Sequence, residues 1–329
     1  MREVPEAWAR DHAEVEGDPF VSNDWTEADI PDQTERTVLI TGANSGIGFE
    51  AARALAQHGA TVVLGCRNRS KADEAAAKID AASTSGTTEI LEIDLADLDS
   101  VEKAAKEFLA NHENLDLLIN NAGLMATPEQ RTAQGFEMQF GVNHLGHFAL
   151  TGHLIPVLLE SGPARVVSIS SVGHRPGRIN FDNLNWDRNY SPWRAYFQSK
   201  LANLLFTREL QRRLSAAGAE AIAVAAHPGG SNTNLGHENP GGIFNTLMHA
   251  AKPVLGPLMT QSAAMGALPT LRAATAPSVG RGDYYGPGGL GQQRGHPVKV
   301  GMSKRARDDQ TARRLWDVST ELTGVTYAI

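Results

Sequence analysis

The sequence predicts an α/β fold, in which a doubly wound, mostly parallel sheet is covered by helices on both faces and forms a single domain. Short apolar, β-branched runs alternate with segments of helical spacing from Arg36 onward, and this alternation is typical of right-handed strand–helix–strand crossovers. Glycine-rich or polar residues follow several of these runs directly, at the carboxyl ends of the strands, where a parallel sheet binds its ligand.

Each element is predicted from its own pattern. "TVLIT" and "TVVLGC" are β-branched runs of strand length. "GFEAARALAQHG" has apolar residues at helical spacing and ends at Gly59, a residue type that often terminates helices. The predicted strands cover residues 37–41, 61–66, 89–95, 115–123, 164–171 and 220–229, and the predicted helices cover residues 48–59, 71–82, 99–112, 136–160 and 195–218.

An acidic N-terminal arm, residues 1–35, precedes the main domain, residues 36–329. The arm holds eleven acidic and two basic residues, contains three prolines and has no periodic pattern. We expect it to be irregular, either as a mobile tail or as an arm packed on a neighbour. The arm has a local charge of -9 and the whole chain a net charge of -7. The rest of the chain is therefore nearly balanced, at +2, and no basic stripe favours a nucleic-acid partner.

The composition excludes several classes of protein. Cys66 is the only cysteine, so the chain has no internal disulfide and no cysteine-rich metal site. The N-terminus lacks the apolar segment of a secretory signal, and no apolar run approaches the ~20 residues of a membrane helix. We therefore expect a soluble, cytoplasmic protein that acts on a small molecule, with a homo-oligomer left open.

The segment "TGANSGIG", residues 41–48, follows the first strand and opens the first helix. Its glycines allow a tight turn, close approach of a pyrophosphate and close packing of helix on strand, and the helix N-terminus offers N–H groups to phosphate. A purely structural glycine turn is the alternative, but the position favours a dinucleotide site in a Rossmann-type domain. The predicted cofactor-binding residues of this turn are Gly42, Asn44, Ser45, Gly46, Ile47 and Gly48.

The end of the second strand predicts which dinucleotide binds. In NAD(H)-binding proteins an acidic residue at this point bonds the ribose 2′-hydroxyl, whereas a nearby arginine suits a 2′-phosphate. The segment "LGCRNRSK" contains no acid but has Arg67, Arg69 and Lys71. A solvated basic turn is the alternative. The missing acid favours NADP(H) over NAD(H), with Arg67 and Asn68 as contacts.

Two further strand ends complete the predicted cofactor site. "IDL" ends the third strand, where Asp94 could accept a bond from the adenine amino group or could cap the next helix, and Leu95 follows it. "NNAG" ends the fourth strand, and its small residues would let a flat ring lie against the backbone. The predicted contacts there are Asn121, Ala122 and Gly123.

From about Arg36 to Tyr285 the chain resembles the short-chain dehydrogenase/reductase superfamily. Seven pieces in the family's order carry the resemblance: "TGANSGIG", "IDL", "NNAG", "NHLGHF" (143–148), "SISS" (168–171), "YFQSK" (196–200) and "HPGGSNT" (227–233). Within the superfamily the chain looks like the retinol-dehydrogenase-like branch. Two features carry this likeness: the segment "SKLANLLFTRELQRRL" and the long insert between the serine motif "SISS" and the tyrosine motif "YFQSK".

The resemblance implies a catalytic tetrad. Tyr196 would be the acid/base and Lys200 its activating partner. Ser171 would bond the substrate oxygen, and Asn143 would hold a relay water. Ser170 is the neighbour most easily confused with Ser171, but the family pattern uses the second serine.

The resemblance also implies cofactor contacts after the sixth strand. Pro228 and Gly229 would form a turn, and Thr233 would bond the nicotinamide carboxamide. A structural turn is the alternative. Tyr196 and Lys200 would contact the cofactor as well.

The chemistry of carbonyl reduction fits these residue types. A hydride must reach carbon and a proton must reach oxygen, but a phenol with a pKa of about 10 is a poor base near neutrality. At positions i and i+4 of a helix, Tyr196 and Lys200 lie on one face, and the ammonium group is expected to lower the pKa of the phenol. Ser171, at the end of its strand, can donate a hydrogen bond to the developing oxyanion.

Three histidines, His144, His147 and His153, lie on the helix predicted over residues 136–160. Two of them are three residues apart, which could suggest a metal site. No carboxylate or cysteine stands at matching spacing, so no metal site is predicted.

Two segments are expected to shape the substrate pocket. Residues 172–195 form an aromatic insert, and residues 236–260 are apolar and broken by glycine and proline. These features favour a lid over an apolar aldehyde, ketone or alcohol. Packing helices or a membrane-surface helix are the alternatives. The aromatic residues of the insert are Phe181, Trp186, Tyr190 and Trp193.

Two other functions stay open beside an NADP(H)-dependent carbonyl reductase or alcohol dehydrogenase. A non-catalytic nucleotide sensor would need the glycine turn but not the tetrad. A reductase of a conjugated carbon–carbon double bond, as in the related protochlorophyllide reductases, would share Tyr196 and Lys200. Cys66 lies in the cofactor strand, which leaves no cysteine proton donor near the substrate. The complete tetrad therefore favours the first function.

Overall fold

One eight-stranded sheet organises the computed structural model, which describes residues 24–230 and 261–329. Its strands are β1 (Thr37–Thr41), β2 (Thr61–Cys66), β3 (Thr87–Glu92), β4 (Leu117–Asn120), β5 (Arg165–Ile169), β6 (Ile222–Ala226), β7 (Tyr284–Pro287) and β8 (Pro297–Lys299). They pair in the order β3-β2-β1-β4-β5-β6-β7-β8. Every neighbouring pair is parallel except β7 with β8. The predicted doubly wound sheet is confirmed.

Seven helices of twelve or more residues are present in the described ranges. They are α1 (Gly46–Gln57), α2 (Arg69–Ala82), α3 (Leu98–Asn111), α4 (Gly146–Glu160), α5 (Pro192–Ala216), α6 (Ala263–Thr275) and α7 (Asp309–Thr323). The first five match the helices predicted from the sequence to within a few residues, with one exception, the segment before α4.

The single helix predicted over residues 136–160 is wrong in its first part. Met138–Phe140 is one α-helical turn, Gly141–Leu145 is a π-helical turn, and α4 follows. The Gly146 N–H bonds the Gly141 carbonyl, five residues back, which is the π spacing. A Cβ at Gly146 would lie 2.6 Å from the Leu95 carbonyl oxygen, so this turn packs closely against the segment that follows β3.

The strands bury alternate side chains on the two faces of the sheet. In β1, Val38 and Ile40 join the core beneath α1, α2 and α6, whereas Leu39 joins the core beneath α3, α4 and α5. Leu117, Leu118 and Ile119 of β4 alternate in the same way. Because helices cover both faces of the sheet, the sequences of the central strands are continuous apolar runs.

The strand order reverses between β1 and β4, because β1 is followed by β2 on one side and β4 lies on the other. At such a switch point the connections leave in opposite directions and open a crevice at the carboxyl ends of the strands. The glycine turn after β1 and the "NNAG" turn after β4 therefore lie side by side at this crevice.

The C-terminal elements β7, β8, α6 and α7 were not predicted from the sequence. Prolines interrupt three of them, since Pro287 ends β7, Pro297 begins β8 and Pro269 lies inside α6. The pattern of α7 is regular: Asp308 caps its start and Gly324, with a φ of 70°, follows its end. The same criteria that identified α1 would have identified α7.

The described part of the acidic arm, residues 24–35, belongs to the folded body. Trp25 and Ile30 are buried in the core beneath α1. Glu27 binds Arg53 of α1 through both carboxylate oxygens, at 2.9 and 2.6 Å. The packed body therefore begins before Arg36, the boundary drawn from the sequence. Residues 1–23 lie outside the described ranges.

The lid predicted over residues 236–260 also lies outside the described residues. Within the ranges that are described, none of the helices has the length and apolar character needed to cross a bilayer.

A Trp25→Ala variant tests whether the arm contributes to the core. Because Trp25 is 6% exposed, we expect the free energy of unfolding to fall by about 3 kcal/mol in urea titration, the usual cost of removing a buried tryptophan side chain. Leu290, which is 99% exposed, provides the control, and Leu290→Ala should leave the midpoint unchanged. Equal midpoints for both variants would show that Trp25 adds nothing to the core.

Candidate active site

The glycine turn after β1 adopts, at two positions, the left-handed backbone conformation that favours glycine. Gly42 has a φ of 67° and Gly46 a φ of 57°. Gly48 is required for a different reason, since a Cβ there would lie 2.4 Å from the Gly42 carbonyl oxygen and 2.5 Å from Asn121 Nδ2. The turn therefore brings the start of α1 against the end of β4.

Thr41 and Asn121 join the two sides of the crevice. The Thr41 hydroxyl oxygen accepts the N–H groups of Asn121, at 2.9 Å, and Ala122, at 3.0 Å. Asn121 Nδ2 donates to the Thr41 carbonyl at 2.8 Å. Asn121 and Ala122, predicted as cofactor contacts, thus also lock the "NNAG" turn onto the end of β1.

The N-terminus of α1 faces this crevice in a form suited to an anion. Ser45 precedes the helix in an extended conformation, and its side chain makes no capping bond. The first turn contains no acidic residue. Its N–H groups and positive dipole end therefore suit the pyrophosphate of a dinucleotide, with Asn44, Ser45 and Ile47 on the turn that would surround it.

The end of β2 presents Arg67 to solvent. The Arg67 side chain is 76% exposed, and its guanidinium lies 3.9 Å from the Asp94 carboxylate. Arg69 is paired differently, because it binds Asp73 along α2 at 3.1 Å. Asn68 caps α2 by accepting the Lys71 N–H at 2.9 Å, a structural contact that the sequence did not predict.

Asp94 is not the cap of the following helix, which was one of the two readings left open. Asp97 caps α3 by accepting the Asp99 N–H. Asp94 accepts the Ala96 N–H at 2.9 Å and so holds the turn after β3. Its other oxygen faces Arg67. Leu95 is buried beside it and is covered by Gly146.

Tyr196 and Lys200 lie near the N-terminal end of α5 and are 8% and 5% exposed. Lys200 Nζ donates to the Ile169 carbonyl at 3.2 Å and lies 5.9 Å from the centre of the Tyr196 ring. A Cβ at Gly123 would lie 3.2 Å from Nζ. The lysine therefore stands between the end of β5, the "NNAG" turn and the tyrosine.

The pKa of Tyr196 shifts in the direction opposite to the prediction. Burial raises the pKa of the phenol, and hydrogen bonding with the Ser171 hydroxyl opposes this shift only in part. Burial also lowers the pKa of Lys200 to about 8. Lys200 bonds the Ile169 carbonyl, and its charge does not outweigh the effect of burial on the phenol. Tyr196 is thus protonated at neutral pH.

The two serines after β5 make different contacts. Ser170 is buried and donates to the Lys200 carbonyl at 2.8 Å, so it anchors the backbone of α5. Ser171 accepts the Gly173 N–H at 3.1 Å and faces Tyr196. Of the pair, Ser171 is therefore the serine whose hydroxyl lies beside the phenol.

The Asn143 side chain is fully engaged by the protein. Its Oδ1 accepts the Leu124 N–H at 2.7 Å. Its Nδ2 donates to the Leu124 carbonyl and to Ser199 Oγ, both at 2.9 Å. Asn143 therefore clamps the end of the "NNAG" turn to α5, a role that the sequence did not predict. The relay water implied by the resemblance stays a prediction.

The turn after β6 is packed as a structural turn. Gly229 has a φ of 65°, and a Cβ there would lie 2.5 Å from the Gln293 carbonyl oxygen. Gln261 donates to the Pro228 carbonyl at 3.0 Å and accepts the Gly295 N–H at 3.1 Å. The glycine-rich segment near residues 286–297, unplaced from the sequence, thus braces this turn. Thr233 lies outside the described residues.

The comparisons with known proteins identify the family of this chain. The family model described as short chain dehydrogenase matches residues 36–241. Human retinol dehydrogenase 13 is 40% identical over 88% of this chain and 85% of its own length. An uncharacterised protein from Mycobacterium paratuberculosis is 45% identical with a TM-score of 0.77, covering 93% of this chain and all of that one. A short-chain dehydrogenase structure from Shigella flexneri complexed with NADP is 26% identical with a TM-score of 0.58, covering 77% and 97%.

The chain belongs to the short-chain dehydrogenase family. It is an oxidoreductase of the retinol-dehydrogenase-like kind. The dinucleotide that the family binds fits the crevice, because the glycine turn leaves no room for side chains at Gly48 and the α1 N-terminus offers unblocked N–H groups. Gly42, Gly46 and Gly123 lie on the two turns that border the crevice and would hold the dinucleotide, which would supply or accept the hydride.

Most of the aromatic residues of the insert serve packing rather than the site. Phe181 stacks with the Arg314 guanidinium at 4.0 Å. Trp186 is 8% exposed. The Tyr190 hydroxyl donates to the Thr127 carbonyl at 2.9 Å. Of the four, Trp193 is the residue whose ring contacts Tyr196, edge-on, with centres 6.2 Å apart.

Two of the three histidines of the predicted helix bond protein groups. His144 Nε2 lies 2.9 Å from Ser319 Oγ, and His147 lies between Thr41 and Asn143. His153 is half-buried near Glu102. No cluster of three potential metal ligands occurs within residues 24–230 or 261–329.

The pKa of Lys200 predicts a pH dependence. Carbonyl reduction with the nicotinamide cofactor should show a level kcat/KM below pH 8 and a decline above it. The cause is that Lys200, whose pKa burial lowers to about 8, loses its charge there while Tyr196 keeps its proton. Steady-state rates between pH 6 and 10 measure this break.

Lys106 provides the control for this profile. It is 72% exposed and paired with Glu102, so Lys106→Ala should preserve the break near pH 8. Lys200→Arg should move the break upward, since a guanidinium stays charged throughout this range. A wild-type profile that is level to pH 10 would contradict the assignment.

Proposed function

We propose that this chain is an NADP(H)-dependent reductase of apolar aldehydes or ketones, which also oxidises the corresponding alcohols. The observation that carries the proposal is the convergence of Tyr196, Lys200 and Ser171 beside the glycine crevice. A buried phenol, a buried ammonium and a serine hydroxyl there form a proton-donating site next to the place where a nicotinamide would bind.

Each residue has a chemical role in this proposal. Tyr196 holds the proton that passes to the carbonyl oxygen, which its raised pKa favours at neutral pH. Ser171 donates to the same oxygen as negative charge develops on it. Lys200, fixed by the Ile169 carbonyl, places a positive charge near the phenolate that remains after transfer. In the oxidation of an alcohol, the same groups act in reverse.

The preference for NADP(H) is supported at the end of β2. Arg67 is exposed there, and its contact with Asp94, at 3.9 Å between exposed side chains, is weak. The guanidinium is thus available to a 2′-phosphate, for which its fork of N–H groups is suited. The Shigella flexneri relative was solved in complex with NADP.

The apolar substrate is supported by the relatives and by one contact of the site. Human retinol dehydrogenase 13, which is 40% identical, is named for an apolar alcohol. Trp193 lies edge-on to Tyr196 and gives the site an apolar wall. We propose a cytoplasmic location on the sequence grounds given above.

A Tyr196→Phe variant tests the function. We expect kcat to fall about 100-fold or more, the usual contribution of a general acid. The test follows nicotinamide absorbance with a panel of apolar and charged carbonyls. Tyr327→Phe is the control, because it removes a hydroxyl that donates to the Phe148 carbonyl, and it should retain activity. Wild-type turnover of none of the panel would favour the nucleotide sensor. Activity that survives Tyr196→Phe would contradict the role of Tyr196 as the general acid. Turnover of charged carbonyls alone would overturn the apolar substrate.

An Arg67→Ala variant tests the cofactor preference. We expect the ratio of kcat/KM for NADPH to that for NADH to fall at least about tenfold, since a charge-assisted hydrogen bond contributes roughly 1.5–3 kcal/mol. Arg69→Ala is the matched control, because Arg69 is paired with Asp73, and it should change the ratio little. A wild-type enzyme that uses NADH as well as NADPH would contradict the proposal.

A further inference from the structure

His147 is a buried residue that the proposed chemistry does not use. It is 3% exposed and lies on the first turn of α4. Its Nε2 is 2.8 Å from the Thr41 hydroxyl, and its Nδ1 is 3.1 Å from the Asn143 carbonyl oxygen. The ring therefore joins the glycine segment to the residue that clamps the "NNAG" turn.

The surrounding bonds determine which ring nitrogen carries the proton. The Thr41 oxygen already accepts two N–H groups, from Asn121 and Ala122, which occupy both of its lone pairs. Its proton must then go to an acceptor. His147 Nε2 at 2.8 Å is closer than the Ile119 carbonyl at 3.5 Å. Nε2 is thus unprotonated, and Nδ1–H donates to Asn143.

The ring is neutral, as this arrangement requires. Burial lowers the pKa of His147 to about 4, and the charge of Lys200 acts in the same direction. A neutral imidazole with a fixed tautomer holds its two partners at a fixed separation, because one nitrogen always accepts a hydrogen bond and the other always donates one.

The backbone of His147 is fixed as well. Thr151 Oγ1 donates to the His147 carbonyl at 2.7 Å, and Asn120 Nδ2 donates to Thr151 Oγ1 at 3.0 Å. Asn120 is the last residue of β4. The histidine is therefore held by the strand whose following turn it supports.

The contacts of His147 reach both ends of the turn over residues 121–124. Thr41 holds the beginning of this turn through Asn121, and Asn143 holds its end through Leu124. Gly123, between them, faces Lys200. Displacement of either end would change the distance between the turn and the lysine.

We propose that His147 is a positioning residue, which fixes the turn over residues 121–124 against Lys200 by accepting from Thr41 and donating to Asn143. The proposal deepens the proposed function and rests on it for its kinetic part. It assigns His147 no contact with substrate.

The kinetic test compares His147→Phe with His144→Phe. His144 is the matched control, because it is also a buried histidine, 2% exposed, and its Nε2 bonds Ser319 on α7 rather than a residue of the site. We expect His147→Phe to lower kcat/KM for NADPH-dependent reduction at least about tenfold, and His144→Phe to stay within about twofold. His147→Gln should restore part of the loss, since an amide can both donate and accept.

Two readouts do not depend on turnover. Nitrogen chemical shifts of the histidine rings should show His147 protonated on Nδ1 and not on Nε2. In urea titrations, Thr41→Val and His147→Phe should be non-additive, because each removes the same bond. Thr41→Ser, which keeps the hydroxyl, should resemble the wild type. The dissociation constant of NADPH, from quenching of tryptophan fluorescence, should rise for His147→Phe and not for His144→Phe.

Specific results would overturn the proposal. The proposal is wrong if the His147 ring is protonated on Nε2. It is also wrong if the effects of Thr41→Val and His147→Phe on stability are additive, or if His147→Phe and His144→Phe bind NADPH with the same affinity. If the wild-type protein reduces no carbonyl, the proposed function fails. The tautomer, the additivity and the NADPH affinity then still decide whether His147 positions the turn.

Discussion

The structure depends on the burial of one cation. Lys200 is 5% exposed, and burial lowers its pKa to about 8, which shows how unfavourable its surroundings are for charge. A buried ammonium is tolerated only where polar groups replace its hydration shell. The Ile169 carbonyl supplies one such group. This contact requires the carboxyl end of β5 to lie beside α5.

The polar contacts around Lys200 follow from this requirement. Asn203 donates to the Ile169 carbonyl at 2.9 Å, and Ser170 donates to the Lys200 carbonyl. Asn143 ties α5 to the "NNAG" turn through Ser199. These bonds lie at the carboxyl edge of the sheet, whereas its middle is packed with aliphatic side chains. The apolar middle of the sheet thus contributes to stability, and the hydrogen-bonded polar residues at its carboxyl edge form the candidate site.

Both halves of the site meet because of the strand order. β1 carries the glycine turn and β5 carries Ser171, and β4 lies between them. The "NNAG" turn after β4 can therefore contact both halves. Thr41 holds it on one side and Asn143 on the other. These bonds fix the position of the turn where a dinucleotide would bind, and such fixed geometry favours the alignment of a hydride donor with a proton donor.

Much of the fold could be predicted from the sequence, because its signals are local. β1 and β2 were predicted residue for residue, since a β-branched run bounded by turn residues defines its own ends. The π-helical turn over Gly141–Leu145 was not predicted, because its apolar spacing resembles that of an α-helix. The close approach of Gly146 to Leu95 joins segments far apart in the chain. β7 and β8 were not predicted, because short segments that contain proline have the sequence pattern of loops. Only their pairing with a neighbouring strand identifies them as strands.

The candidate site divides in the same way. The sequence by itself determined which residue types stand after which strand: the glycines of the first turn, Arg67 without an acid, Ser171, and Tyr196 one helical turn before Lys200. Order and spacing along the chain are enough for that. Only the tertiary structure decided what each group bonds. It directed Lys200 to a carbonyl and raised the pKa of Tyr196. It also used the side chain of Asn143 as a clamp and placed His147 between two motifs. Hydrogen bonds and burial depend on distances between residues far apart in the chain, which no local pattern contains.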